Sequence, residues 1–240
     1  MPNMDVVILV ALTEELEAFC KYGFYQLGSK KSLGPFKFYE FSFFDKMNTR
    51  RNGTLVLVND MGSRIRDAAM AACSEFRPDL VLNIGISGRL SNDAKIGDIV
   101  IASQINLYAE RGAAVPEGEG YVLQPGGSAI PIERELRNAI SEPQFLSDVA
   151  FPTFDAFCRQ TKIEISTEGE HQYRAWIDDE EVAYVPTAVV GPFAAGPLVG
   201  KAEGFKHFLK GIDKNVLAID MESGYVGDAI ENMNRKNQIG

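Results

Sequence analysis

The stretch Asp5–Leu12, DVVILVAL, constrains the fold of this chain more than any other. It is a short unbroken apolar run rich in Val and Ile, and such a run reads as a strand covered on both faces, as in a parallel sheet. Thr13 follows it as a helix N-cap, and Glu14 and Glu15 put acidic charge in a first turn, where the helix dipole favours it. A strand of this kind leading straight into a helix is the opening of an α/β layered fold.

The alternation continues along the chain. Strands are expected over 36–44, 54–60, 80–84, 96–105, 188–193 and 216–219. Helices are expected over roughly 64–76, 131–140, 201–210 and 221–234. The first of these packs Ala68, Ala69, Ala72 and Phe76 and stops at Pro78-Asp79, and the second has Pro131 in its first turn. Residues 109–130 are rich in Gly, Pro and Glu and read as a long surface loop. Residues 151–185 carry two mixed patterns without an assignment, and no internal repeat occurs. A length of 240 residues suits one large α/β domain or two small ones, and 45% hydrophobic residues suffice for a substantial core.

Charge and cysteines narrow the function classes. The net charge of −9 argues against nucleic acid as a partner, because phosphate neutralisation by basic residues dominates such binding. Lys46 with Arg50-Arg51 is the nearest approach to a basic cluster and reads as a solvated loop. Cys20, Cys73 and Cys158 are far apart, the histidines are His171 and His207, and no tight ligand spacing exists, so no metal is expected. The cysteines read as buried small hydrophobes in a reducing cytoplasm. With no apolar run of about 18 residues and no leader pattern, the expectation is a soluble cytoplasmic protein with no membrane partner.

Three strand-end constellations carry chemistry. Glu14-Glu15 follows the first strand, where a carboxylate can serve as general acid or base; the plain alternative is an acidic first turn. Asn83-Ile84-Gly85-Ile86-Ser87-Gly88 offers backbone N–H groups and a hydroxyl to a ligand. It lacks the GKS/T ending of a Walker loop and the GxGxxG fingerprint, and an ordinary turn explains it equally well. Asp220-Met221-Glu222-Ser223 ends a short strand, where a carboxylate can accept from two neighbouring hydroxyls such as ribose presents, or can be a helix N-terminal carboxylate.

Together, ALTEEL, NIGISG, KIGDIVIA and IDMES, in this order, resemble the nucleoside phosphorylase and nucleosidase superfamily, and most closely its 5′-methylthioadenosine/S-adenosylhomocysteine nucleosidase branch. The similarity spans almost the whole chain, with 110–185 weakly matched. It implies a three-layer αβα sandwich around a mixed, partly closed sheet, a single domain over 1–240, and a homo-oligomer. It also implies that Glu15 positions and activates the attacking water, that Met221 packs on the sugar, and that Glu222 binds its hydroxyls. Ile86, Ser87 and Gly88 would lie beside base and sugar. Ala195–Val199 corresponds to the family's base-edge stretch, with Leu198 and Val199 beside the base. Asp220 stands where the family usually has Glu, and Pro197 and Val199 stand where Asp and Phe are common, which weakens stacking. No metal or organic cofactor is implied.

The resemblance favours water over phosphate. Phosphorolytic relatives have a glycine and an arginine at the turn that reads Leu12-Thr13-Glu14-Glu15 here, and the acidic turn would repel phosphate; Arg64 and Arg89 are the nearby candidates against this. In the family an SD aspartate, on a strand after the EMEA-bearing helix, protonates N7 of the leaving purine. The chain stops at Gln238-Ile239-Gly240, about where that strand would begin, so a domain lacking the family's last strand and helix is expected. Asp228 lies within the helix and out of register with that role. A truncated chain, a silent site, and a site completed by another subunit are the three readings. The expected function is purine nucleoside N-ribosyl hydrolysis. The alternative is a catalytically silent nucleoside- or nucleotide-binding module of a larger protein, and an α/β domain unrelated to nucleosides is the third.

Overall fold

The computed structural model describes residues 4–22, 27–45, 47–95, 97–118, 120–142, 188–198 and 203–239. Among them are ten strands and five helices. They form two compact units, one of Met1–Ser87, Ala195–Val199 and Asp220–Gly240, the other of Gly88–Ala194 and Gly200–Ile219. The unassigned stretch 151–185, Lys46, Cys158, His171 and Val199 lie outside the described residues.

The first unit is built on a five-stranded sheet. Its strands are β1 (Val6–Val10), β2 (Lys31–Leu33), β3 (Phe36–Phe44), β4 (Arg50–Leu57) and β5 (Leu80–Asn83), in the order β2-β3-β4-β1-β5. β1 runs parallel to both neighbours, β4 and β5, while β2, β3 and β4 are antiparallel in succession. Side chains of a strand alternate between faces, and β1 uses both. Val7 and Leu9 pack with Ile65, Ala68, Ala69, Ala72 and Phe76 of α2 (Arg64–Phe76), together with Val226 and Ala229 of the C-terminal helix Ser223–Ile239. Val6, Ile8 and Val10 pack on the opposite face with Leu16 of α1 (Thr13–Tyr22) and with Phe41, Leu55 and Leu57. The sheet of this unit therefore lies between helices on both faces, the α/β class expected from DVVILVAL. Each fully buried aliphatic side chain contributes roughly 1.5–3 kcal/mol.

Local chemistry sets the element ends. α2 stops at Arg77, which takes a left-handed conformation (φ 46°) and donates its N–H to the carbonyl of Cys73, immediately before Pro78. β4 starts four residues before the expected 54. The stretch expected as a solvated basic loop is in fact ladder, with Arg50 opposite Phe44 and Arg51 opposite Phe43. Arg51 pairs with Asp5 (3.1 Å) and Asp45 (2.9 Å), which holds both carboxyls below the usual range through backbone N–H donors first and the guanidinium second. The cysteine expectation needs correcting too. Cys20 is exposed, because the packed side of α1 is carried by Leu16 and Phe19. Cys73 is half-buried, and desolvation pushes its thiol up to about 11.

The second unit carries a sheet of β6 (Gly88–Arg89), β7 (Ile99–Glu117), β8 (Gly120–Pro131), β9 (Ala188–Ala195) and β10 (Ala218–Asp220), in the order β6-β10-β9-β7-β8, of which the end residues Ala195 and Asp220 are counted in the first unit. Its helices are α3 (Arg134–Ser141) and α4 (Glu203–Ile212), and the C-terminal helix of the first unit is α5. Leu90, Tyr108, Leu209, Val216 and Ile219 form its core. The long loop expected over 109–130 is instead an antiparallel hairpin of β7 and β8 turning at Gly118, whose φ of 61° suits glycine. The Gly/Pro/Glu composition hid a cross-strand register that sets Val115 opposite Val122 and Ala114 opposite Leu123. Proline is compatible with a strand wherever the ladder does not need its missing N–H, so Pro116 and Pro125 did not forbid pairing. The next helix starts at Arg134, three residues after Pro131, because the Glu133 side chain caps it by accepting from the Leu136 N–H. Among the described residues no helix is long and apolar enough to cross a membrane.

Ile65 is fully buried between the sheet and the two helices that cover it. Ile65→Ala should cost about 2–5 kcal/mol, the range for a truncated core aliphatic, measured as a lowered urea midpoint at unchanged m-value. An unchanged midpoint would mean that this face of the sheet is not a packed core.

Candidate active site

The ends of β1, β4, β5 and β10 expose backbone N–H groups that have no ladder partner, and carboxylates take them up. Glu15 sits on the first turn of α1, and its two oxygens accept from three backbone amides. Oε2 takes Ala11 (2.9 Å) and Leu12 (3.0 Å), and Oε1 takes Ile86 (3.0 Å) just past β5. The approach is close enough to dictate a residue type. A Cβ on Gly85 would fall 2.6 Å from Glu15 Oε1, so a side chain at 85 would expel the carboxylate.

Glu222 does the same on the other side of the unit. Its Oε1 accepts from the buried Gly62 N–H (2.8 Å) and its Oε2 from the Met221 N–H (3.1 Å). Gly62 belongs to the β4–α2 loop, 59–62, in which Asn59 also has a positive φ of 58°. That loop is tied back to the first turn of α1 by Thr13 Oγ1, which donates to Asn59 Oδ1 (3.0 Å), and to the end of β1 by the Asp60 N–H, which donates to the Ala11 carbonyl (3.1 Å).

Asp220, at the end of β10, caps α5. Its Oδ1 accepts from the buried Ser223 hydroxyl (2.6 Å), and its Oδ2 from the Ser223 N–H (3.0 Å) and, at a longer 3.4 Å, from the Asn83 side-chain amide. Desolvation pushes the Asp220 carboxyl up from 3.8 to about 6; the two Ser223 hydrogen bonds oppose the rise and the charge of Glu222 adds to it. The contacts form a closed circuit within the first unit. Glu15 joins α1 to the end of β5, Asp220 joins β5 to the 220–223 turn, Glu222 joins that turn to the β4–α2 loop, and Thr13–Asn59 returns to α1.

The positions named from sequence are distributed as follows. Glu15 and Ile86 are in direct contact, and Met221 and Glu222 share one turn. Ile86 and Ser87 are exposed on the turn after β5, with Ile86 79% exposed. Gly88 opens β6 in the second unit. Leu198 is exposed, near Gly196, whose N–H donates to the Asp220 carbonyl (3.3 Å). Gly62, Asn59 and the side-chain amide of Asn83 join these positions without having been marked as functional by the sequence. The signal for the first two was the Asn59-Asp60-Met61-Gly62 run after a strand, whose Asn and Gly suit positive φ.

The mixed sheet of the first unit, covered by helices on both faces and with carboxylates at its strand ends, defines an α/β protein, a class in which ligands bind beyond the carboxyl ends of the strands. The chain belongs to the phosphorylase superfamily, whose family model matches residues 5–226. A sequence search of curated proteins returned no match. Solved structures share the fold at low identity. The 5′-methylthioadenosine/S-adenosylhomocysteine nucleosidase of Neisseria meningitidis, in complex with methylthio-immucillin-A, superposes with a TM-score of 0.60 at 16% identity, over 95% of this chain and 80% of that one. Futalosine hydrolase of Helicobacter pylori gives 0.60 at 16% identity, over 96% and 80%. The S-adenosylhomocysteine nucleosidase of Streptococcus pyogenes, in complex with 5-methylthiotubericidin, gives 0.57 at 18%, over 98% and 80%.

The raised Asp220 pKa fixes the sign of a pH effect. The folded chain holds this proton more tightly than the unfolded chain, so the group's stabilising contribution is complete below about pH 4 and is lost as pH rises through about 6. The span is on the order of 3 kcal/mol. Urea unfolding of Asp220→Asn and the parent between pH 4 and 7.5 should show the parent losing stability relative to the variant as pH rises. A pH-independent difference would mean that Asp220 titrates as an ordinary surface carboxyl.

Proposed function

We propose that the chain is a nucleoside N-ribosyl hydrolase acting on purine nucleosides, with Glu15 orienting the attacking water and Glu222 holding the ribose. The observation that carries this is the arithmetic of lone pairs. A carboxylate offers about four acceptor positions. Among the described residues Glu15 has three of them filled by backbone N–H groups, leaving about one, the number a single water needs. Glu222 has two filled, leaving about two, the number a ribose 2′,3′-diol supplies. Met221 offers an apolar surface to the sugar on the same turn, and Ile86, Ser87, Gly88, Leu198 and Val199 are assigned to the base and its surroundings. The nucleosidases among the solved structures of this fold support the same reaction class.

In this reading the N-glycosidic bond lengthens toward an oxocarbenium-like ribose, whose positive charge the Glu222 carboxylate stabilises. Water on Glu15 attacks the anomeric carbon and gives its proton to the carboxylate. The purine leaves with the bonding electron pair and takes up a proton from solvent, to which Glu15 later releases the one it accepted from the attacking water. We read the reaction as independent of metal and cofactor, the 1–240 chain as one domain that works in the cytoplasm, and the active form as a homo-oligomer. Hydrolysis is favoured over phosphorolysis because Arg64, at the start of α2, already faces Asp60 (3.5 Å) and the Phe36 ring, and the first turn of α1 is acidic.

Release of free purine from methylthioadenosine, adenosine, inosine and AMP, with and without phosphate, tests the reading. Release without phosphate is the expected result; release only with phosphate would make the chain a phosphorylase. Binding seen by calorimetry without release would favour the silent nucleoside-binding module. Glu222→Gln should weaken nucleoside binding by about 1–3 kcal/mol, the scale of a charge-assisted hydrogen bond. Unchanged affinity removes Glu222 from the ribose site. Glu15→Gln should lower kcat by on the order of 100-fold or more, with a far smaller change in affinity; normal turnover in that variant excludes the water-activating role.

A further inference from the structure

Asp220 has no part in the chemistry above, yet its carboxylate closes the circuit of contacts around the site. It accepts from Ser223, the first residue of α5 and the neighbour of Glu222, and from Asn83, the last residue of β5. Asn83 stands three residues before Ile86, whose N–H is held by Glu15. Among the described residues the Asn83–Asp220 contact is the side-chain hydrogen bond that joins the 83–87 segment to the 220–223 turn. The segment gripped by the water-orienting carboxylate and the turn bearing the ribose-binding one are thus connected through Asp220. Ser223 is 9% exposed and Asp220 half-buried, so water competes little for the two short bonds at this junction.

We propose that Asp220 is a positioning residue, which sets the Met221–Glu222 turn against the end of β5 and so fixes the separation of the two working carboxylates. This rests on the hydrolase reading for its consequence, but the brace is a property of the fold. Charge is not what the brace requires. The Ser223 hydroxyl can donate or accept. An asparagine at 220 can therefore keep its oxygen toward the Ser223 N–H and the Asn83 amide and donate its own NH₂ to Ser223 Oγ. Alanine at 220 can do none of this. The pair Asp220→Asn and Asp220→Ala separates the brace from the charge.

The experiment measures KM and kcat for methylthioadenosine, and backbone amide exchange by mass spectrometry over 83–87 and 220–224, in the parent and both variants. Asp220→Ala is expected to raise KM by ~10-fold or more, the effect of one lost hydrogen bond of this class with its partners left unsatisfied, and to speed exchange in both segments together. Asp220→Asn is expected to stay within about 3-fold of the parent KM, with parent-like exchange. A folded Asp220→Ala protein with parent KM and exchange overturns the proposal. So does an Asp220→Asn variant as impaired as Asp220→Ala, since charge would then be the operative property. If Asp220→Ala fails to fold, Asn83→Leu cuts the same link from the other side and leaves the Ser223 bonds intact. It should raise KM and speed exchange likewise, and parent behaviour would overturn the proposal. A parent that neither binds nor cleaves nucleoside defeats the hydrolase reading, while the exchange data still decide the brace: joint acceleration in Asp220→Ala but not in Asp220→Asn upholds it, and unchanged exchange overturns it.

Discussion

A backbone N–H at the end of a strand or in the first turn of a helix has no ladder or helix partner, and the first unit of this protein supplies acceptors for six of them with three carboxylates. Glu15, Asp220 and Glu222 between them accept from the backbone amides of Ala11, Leu12, Ile86, Ser223, Gly62 and Met221. Each amide lies where a strand hands over to a loop or a helix. The interaction that finishes the fold therefore also sets carboxylate oxygens at the strand ends, where ligands of α/β sheets bind. Stability and site geometry depend here on the same hydrogen bonds.

The three carboxylates differ in what they have left to offer. Among the described residues Glu15 and Glu222 keep unfilled lone pairs, the capacity that their proposed roles toward a water and a diol would use. Asp220 spends its oxygens on Ser223 and Asn83, and burial outweighs those bonds enough to raise its pKa to about 6. Desolvation and the charge of Glu222 act against the ionised form, and two donors from a single serine do not offset them. The glycines complete the arrangement from the backbone side. Gly85 lets the Glu15 carboxylate lie against the chain, and Gly62 supplies an N–H from a conformation with φ of 76°.

Much of this was legible in the chain as written. The apolar run Val6–Val10 became an interior strand, parallel to both neighbours and with both faces buried, and the Ala68, Ala69, Ala72 and Phe76 stripe became the packed face of α2. The order ALTEEL, NIGISG, KIGDIVIA and IDMES announced the superfamily that the family model matches. The β7–β8 hairpin was not legible, because its evidence is a pairing between residues on opposite sides of Gly118, while glycine and proline report only local preference. Cys20 misled for a similar reason, since apolar neighbours in sequence do not say which side of a helix meets the sheet.

By itself the sequence determined most strands and helices of the first unit, through the period of their apolar residues, and placed Glu15, Ile86, Asp220 and Glu222 at the ends of elements. Tertiary structure alone decided which of them meet. Glu15 and Ile86 are 71 residues apart in the chain, Gly62 and Glu222 160, and Asn83 and Asp220 137. No local periodicity encodes contacts at such separations. They arise because parallel strands align their carboxyl ends, which brings the loops of β1, β4 and β5 to one edge, and because the unpaired amides there then select the acceptors within reach.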